Sequence, residues 1–166
     1  FKNIFNGEKV KDIDMFFENE QDYIKAEQYF SENNEFNFYY DNSKVKAYKH
    51  GNIIIELISH VYGKPEEIIS NFDFTITKFA YYKELAEEEN GNNHIEYKVI
   101  CDDCYFEHLH NCRLVVDDKL LYPISSFERM IRYIKYGYYP CKETKMKIIE
   151  GIRRVHTVEG MSESLY

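Results

Sequence analysis

The stretch Val10-Lys11-Asp12-Ile13-Asp14-Met15-Phe16-Phe17 decides how the rest of the chain is read. It sets two carboxylates two residues apart in an otherwise apolar run of strand character. A strand alternates its faces with period two, so Asp12 and Asp14 point one way while Ile13 and Met15 point the other, into a core. Adjacent carboxylates repel one another and lose solvation, and a cation normally offsets them. Mg²⁺ is held in this manner, by one or two carboxylates together with substrate phosphates. A half-buried edge strand with two solvated aspartates fits the same residues.

A chain of 166 residues and 20.0 kDa fits one domain, or one domain with a small helical appendage. Its hydrophobic content of 44% suffices for a sizeable core, and with sixteen Tyr, twelve Phe and no Trp, tyrosine is expected to supply much of the half-buried surface. No apolar run approaches the roughly 20 residues needed to span a bilayer, and no cationic, apolar-cored signal peptide opens the chain. Four cysteines make no dense disulfide framework, which points to the cytoplasm. Three of them fall in Cys101-Asp102-Asp103-Cys104-Tyr105-Phe106-Glu107-His108-Leu109-His110-Asn111-Cys112. Cys101, Cys104, His108, His110 and Cys112 can be read there as a zinc-binding interaction module, but the spacing matches no common zinc pattern. Phe106 and Leu109 read as core positions, so ordinary buried thiols and histidines are the simpler reading.

The net charge of −8 argues against broad nonspecific nucleic-acid binding, yet the charge is uneven. Between 129 and 154 stand eight bases, Arg129, Arg132, Lys135, Lys142, Lys145, Lys147, Arg153 and Arg154, opposed only by Glu143 and Glu150. Such a segment beside an acidic body suits a polyanion such as a triphosphate or RNA, and equally a solvated helix face.

Local pattern predicts alternating elements. Val10–Phe17 reads as a strand and residues 20–32 as a helix, with Tyr23, Ala26, Tyr29 and Phe30 near helical spacing. Phe36–Tyr40, Lys44–Lys49 and Asn52–Ser59 read as strands joined by Asp41-Asn42-Ser43 and His50-Gly51-Asn52, an antiparallel meander. Pro65 opens a short helix, residues 84–93 form a polar loop or hairpin end, and Ile95–Ile100 is one more strand. Ser125 and Glu128 have capping-box spacing ahead of a helix carrying Phe127, Met130, Ile131, Ile134 and Tyr138 on one face, ended by Gly137 and Pro140. Met146, Ile149 and Ile152 mark a second amphipathic helix, and the polar tail after it is expected to be loose.

This order resembles the polymerase-β-like nucleotidyltransferases: a D-x-D strand, a helix, antiparallel strands, then a carboxylate on a central strand, here Glu56 in Ile53-Ile54-Ile55-Glu56-Leu57-Ile58-Ser59. Asn71-Phe72-Asp73-Phe74-Thr75-Ile76 looks like the D-F-T-I segment of the CCA-adding and bacterial poly(A) polymerase branch. It is closer still to small phage-type relatives with F-D-F-T-I followed by a K-F-A-Y-like run, here Lys78-Phe79-Ala80-Tyr81. Cys112-Arg113-Leu114 and Glu128-Arg129-Met130-Ile131-Arg132-Tyr133 are similar to that branch's two arginine-bearing segments.

The resemblance implies an α+β fold, a mixed or antiparallel central sheet flanked by helices. Residues 1–122 would form the nucleotidyltransferase-like core, 123–156 a C-terminal helical segment and 157–166 a flexible tail. It implies that Asp12 and Asp14 hold catalytic Mg²⁺ (or Mn²⁺) and that Glu56 assists or activates the attacking hydroxyl. Asp73 would organise the site, while Arg113, Arg129 and Arg132 face triphosphate or base. The reaction implied is transfer of a nucleoside monophosphate from an NTP to a hydroxyl of RNA, protein or a small molecule. The Gly-Gly or Gly-Ser pair such enzymes place before D-x-D is not in the sequence, where only Gly7 precedes it. A chain starting at Phe1 leaves room for the pair upstream. Without it, the expectation is a catalytically degenerate binding or accessory protein of phage or mobile-element type.

Overall fold

Asn19 shows how local chemistry sets the elements: its side chain accepts the Asp22 amide and caps the helix Glu20–Glu32, whose first turn carries Glu20 and Asp22 at the positive end of the helix dipole. The computed structural model describes residues 1–87, 93–117 and 119–155. Helix α1 (Lys2–Phe5) and strand β1 (Asp12–Phe17) precede this helix, α2. β2 (Asn37–Asp41), β3 (Val45–His50) and β4 (Ile53–Tyr62) follow as the expected meander. Asn42 Oδ1 accepts the amides of Lys44 and Val45 in the first turn, and Gly51 supplies a φ of 59° in the second.

Among the described residues the chain divides into two units, Phe1–Ile68 and Ile69 onward. In the first, the sheet runs β1-β4-β3-β2, with β1 parallel to β4 and the other pairs antiparallel. Phe17, Phe30, Tyr48 and Leu57 form its buried cluster, with Met15, Tyr23, Ala26, Phe36, Ile55 and Tyr62 packed around them. The apolar stripe of α2 thus covers one sheet face, and Lys46 of β3 ties that helix down through Glu27.

Helix α3 (Pro65–Ser70) straddles the division. A 3-10 turn (Thr75–Thr77) leads into the antiparallel ribbon β5 (Phe79–Glu87) and β6 (Asn93–Cys101), then α4 (Tyr105–His110) and β7 (Arg113–Leu114). Helices α5 (Pro123–Lys135) and α6 (Lys142–Arg153) close the second unit, with β8 (Tyr139–Pro140) between them paired to β7. Its core gathers Phe74, Ile76, Tyr105, Leu109, Leu114, Val116, Met130, Tyr138 and Ile148. The class is α+β with a small C-terminal helical part, as expected.

Several expectations are corrected. α5 begins at Pro123 behind Tyr122, with no side-chain cap, so Ser125 lies inside the helix and the Ser125/Glu128 capping box does not form. Proline at the first helical turn needs no amide partner, which makes that earlier start favourable. α6 buries Thr144 and Ile148, not the Met146/Ile149 stripe, which is exposed. Thr144 can go inside because its hydroxyl donates to the Leu114 carbonyl at 3.0 Å and accepts the Val116 amide at 3.2 Å. Phe106 is exposed while its neighbours Tyr105 and Leu109 are buried, and Ile13 is 43% exposed instead of buried. Residues 84–87 belong to β5, which pairs antiparallel with β6 up to Glu87 and Asn93, so of the two readings of this segment the hairpin end holds. Residues 88–92 and the tail 157–166 lie outside the described residues. Among the described residues no helix is long and apolar enough to cross a membrane.

Gly151 lets α6 pack closely against Pro123 and Leu120. A β-carbon there would stand 2.8 Å from Cβ of Pro123 and 3.1 Å from Cδ2 of Leu120. Glycine-to-alanine in a helix ordinarily gains up to about 1 kcal/mol, whereas overpacking costs about 1–3 kcal/mol. Gly151→Ala is therefore expected to destabilise by about 1 kcal/mol, read as a lowered urea midpoint; a raised midpoint would show that α6 moves aside freely.

Candidate functional site

The first unit carries an acidic row whose geometry follows from strand register. Asp14 pairs with Glu56 on β4, Glu56 with Ala47 on β3, and Ala47 with Tyr40 on β2. In-register partners share a sheet face, so Asp14, Glu56, Ala47 and Tyr40 form one line across the sheet, with Asp12 two residues along on the same face. The opposite face carries Met15, Ile55, Leu57 and Tyr48 against α2. Asp12 and Asp14 are exposed and Glu56 is half-buried.

Ala47 is fully buried, and its small side chain lets the longer Tyr40 lie across it. The Tyr40 hydroxyl donates to Glu56 Oε1 at 2.7 Å. A register shift between Phe38 and Tyr40 brings Tyr40 onto this face. Burial holds the Tyr40 phenol well above its ordinary range, reinforced by the bond to Glu56 and by the charges of Glu56 and Asp14. Sequence reasoning placed Tyr40 at a strand end but gave it no role. A tyrosine that must cross an alanine to reach a carboxylate two strands away carries no local signature.

β1 is an edge strand among the described residues, one of the two readings its sequence allows. No group of three or more His, Cys, Asp or Glu side chains among the described residues converges as a metal-holding set. The donors on this face are nonetheless all oxygens, the chemistry that suits a hard cation completing its shell from phosphate and water.

The remaining candidates lie in the second unit. Asp73 Oδ2 stands 3.0 Å from Arg129 Nε, both side chains largely buried, and Asp73 Oδ1 accepts the Phe74 amide at 2.9 Å. Lys78, also buried, is paired with Asp117. Arg113 is exposed and faces Glu107 at 3.6 Å. Arg132 is exposed on α5. In the cysteine-rich segment, His108 is buried and bonded through Nδ1 to Thr75 Oγ1 at 2.8 Å, while His110 and Cys112 are exposed. Cys101 lies at the end of β6 and Cys104 just before α4, so the five side chains are dispersed over several elements.

Set against known proteins, the chain falls in a phage anti-defence family. Residues 1–112 match the family model Gad2, described as Gabija anti-defense 2 family protein, and the chain belongs to that family. No curated protein and no solved structure matches it. The family match corrects the resemblance to the nucleotidyltransferases, since no family of those enzymes matches. The motif that suggested them has structural employment: Phe74, Thr75 and Ile76 are buried and Asp73 holds Arg129.

Two outcomes test this geometry. Arg129→Ala would strand a largely buried aspartate, so it is expected to destabilise by about 3 kcal/mol in denaturant unfolding. Unchanged stability would mean that Asp73 finds water or another donor at no cost. The Tyr40 bond needs a protonated phenol whose folded pKa is raised, so its contribution is whole below about pH 10 and fades as pH climbs beyond the unfolded-state value. Tyr40→Phe is expected to lose about 1–2 kcal/mol at neutral pH and to show a shallower alkaline decline than the unaltered protein. Identical slopes would show that the phenol is not held protonated.

Proposed function

We propose that the chain serves anti-defence as a binding protein, and that the acidic row of its first unit takes a nucleoside triphosphate loaded with Mg²⁺ or Mn²⁺. One observation carries this reading: Asp14 and Glu56 are register partners on adjacent parallel strands, with Asp12 on the same face and Glu56 clamped by Tyr40. Carboxylates fixed side by side repel one another, and a divalent cation offsets that repulsion. Asp12 and Asp14 would hold that cation, which supplies charge neutralisation between the carboxylates and the phosphates. Tyr40 keeps Glu56 in one orientation, so the row meets a ligand with little rotamer freedom left to lose. The free thiols of Cys101, Cys104, Cys112 and Cys141 suit a reducing cytoplasm.

A second reading rests on Glu56. A carboxylate beside a bound triphosphate can take the proton of a hydroxyl of RNA, protein or a small molecule, whose oxygen would bond to the α-phosphorus as the bond to the β-phosphate breaks and pyrophosphate leaves, converting binding into transfer of a nucleoside monophosphate.

Thermal unfolding with each of the four NTPs and Mg²⁺ tests the first reading. At least one nucleotide is expected to raise Tm, through about 2.7 kcal/mol of stabilisation at a hundredfold excess over Kd. The shift should vanish in the Asp12→Ala/Asp14→Ala variant, and that variant should lose protection in a host carrying the Gabija defence. No shift with any NTP, or a shift intact in the variant, would sink the reading. Label from an α-labelled NTP appearing covalently on RNA or protein, and lost in Glu56→Gln, would establish the second.

A further inference from the structure

The β5–β6 ribbon presents one apolar face to water. Its register pairs Tyr81 with Val99, Lys83 with Tyr97 and Leu85 with Ile95, so these six side chains lie on one face in three successive rows. Leu85 is 73%, Tyr97 65% and Val99 61% exposed, and Tyr81 and Ile95 are exposed as well. Tyr81 and Tyr97 stack at 5.7 Å with their rings nearly parallel. The other face is the charged one: Lys98 bridges Glu84 and Glu96. The hydrophobic alternation is therefore that of a half-buried sheet, with the buried half turned to solvent.

We propose that this face is a self-association surface, covered in solution by the same face of a second copy of the chain. Three observations select that occupant. A two-stranded ribbon is marginal in water unless its apolar face is packed, and stacking two of them makes a two-layer, four-stranded sandwich. The rows are self-complementary: a two-fold axis parallel to the strands lays β5 of one copy over β6 of the other. Leu85 then meets Ile95, Tyr81 meets Val99, and Lys83, the one charge among these six residues, lies over the Tyr97 ring in a cation–π contact. The area also fits. At these exposures each tyrosine offers on the order of 100 Å², the face roughly 500 Å², and two faces about 1,000 Å², the threshold for a specific but weak dimer. The proposal is independent of nucleotide binding, which concerns the first unit.

Each copy carries a net charge of −8, so salt should tighten the dimer by screening repulsion. Sedimentation equilibrium of the whole chain from micromolar to millimolar concentration is expected to show monomer and dimer, with more dimer at 0.5 M than at 0.05 M salt. Leu85→Glu and Tyr97→Glu are each expected to weaken the dimer roughly thirtyfold or more while keeping the circular dichroism of the unaltered protein. Glu84→Gln, on the charged face, should leave it unchanged. A monomer at every concentration overturns the proposal, and so does a dimer that persists in both glutamate variants or one that salt dissolves. Amide exchange in the unaltered protein guards against a variant that fails to fold. Protection of β5 and β6 that rises with protein concentration supports the interface, and concentration-independent protection overturns it.

Discussion

The parallel register of β1 against β4 is the constraint on which the first unit depends. Ile54 donates its amide to the Lys11 carbonyl at 2.9 Å, and from there Asp12, Asp14 and Met15 fall beside Ile54, Glu56 and Leu57. A slip of one residue would turn Asp12 and Asp14 toward α2 and force two carboxylates into a cluster of Phe17, Phe30, Tyr48 and Leu57. Burying an unpaired carboxylate is costly enough to exclude that register. The aspartates therefore do two things at once: they forbid the wrong pairing, and in the right one they line the face that Tyr40 and Glu56 share.

The second unit is ordered by buried charge instead of alternation. Asp73 and Lys78 stand on either side of the Thr75–Thr77 turn, one holding Arg129 of α5 and the other Asp117. Bridging bonds between Phe74 and Val116, and from the Thr75 and Asp117 amides to the carbonyls of Val115 and Asp73, fix the backbone between those charges. Such pairs are poor sources of net stability but select one arrangement sharply, because any other leaves a charge stranded.

Much of the fold could be read from local pattern, and the reasons differ by element. α2 was legible from the helical spacing of Tyr23, Ala26, Tyr29 and Phe30, and the three meander strands from the turn residues around Asn42 and Gly51. β5 was obscured by its acids: Glu84 and Glu87 look like loop residues until Lys98 and the ribbon's alternation are seen across the strand pair. The start of α5 was misplaced because a serine with capping spacing outweighed a proline two residues earlier. The face of α6 was misjudged because its inward side, with Thr144 and Ile148, includes a threonine whose partners, Leu114 and Val116, are some thirty residues away. In the candidate site, the shared face of Asp12 and Asp14 followed from period two, and Glu56 from its place in an apolar run. Tyr40 did not, since its role depends on a bulge and on the size of Ala47. The motif around Asp73 misled because short motifs do not distinguish residues retained for chemistry from residues retained for packing.

The family match ends at residue 112, but the core it enters does not. Phe74, Ile76, Tyr105 and Leu109 lie within the matched segment, whereas Leu114, Val116, Met130, Tyr138 and Ile148 of the same cluster lie past it. A chain cut at residue 112 would keep four of these nine side chains and lose five, leaving half a core open to water and prone to aggregate.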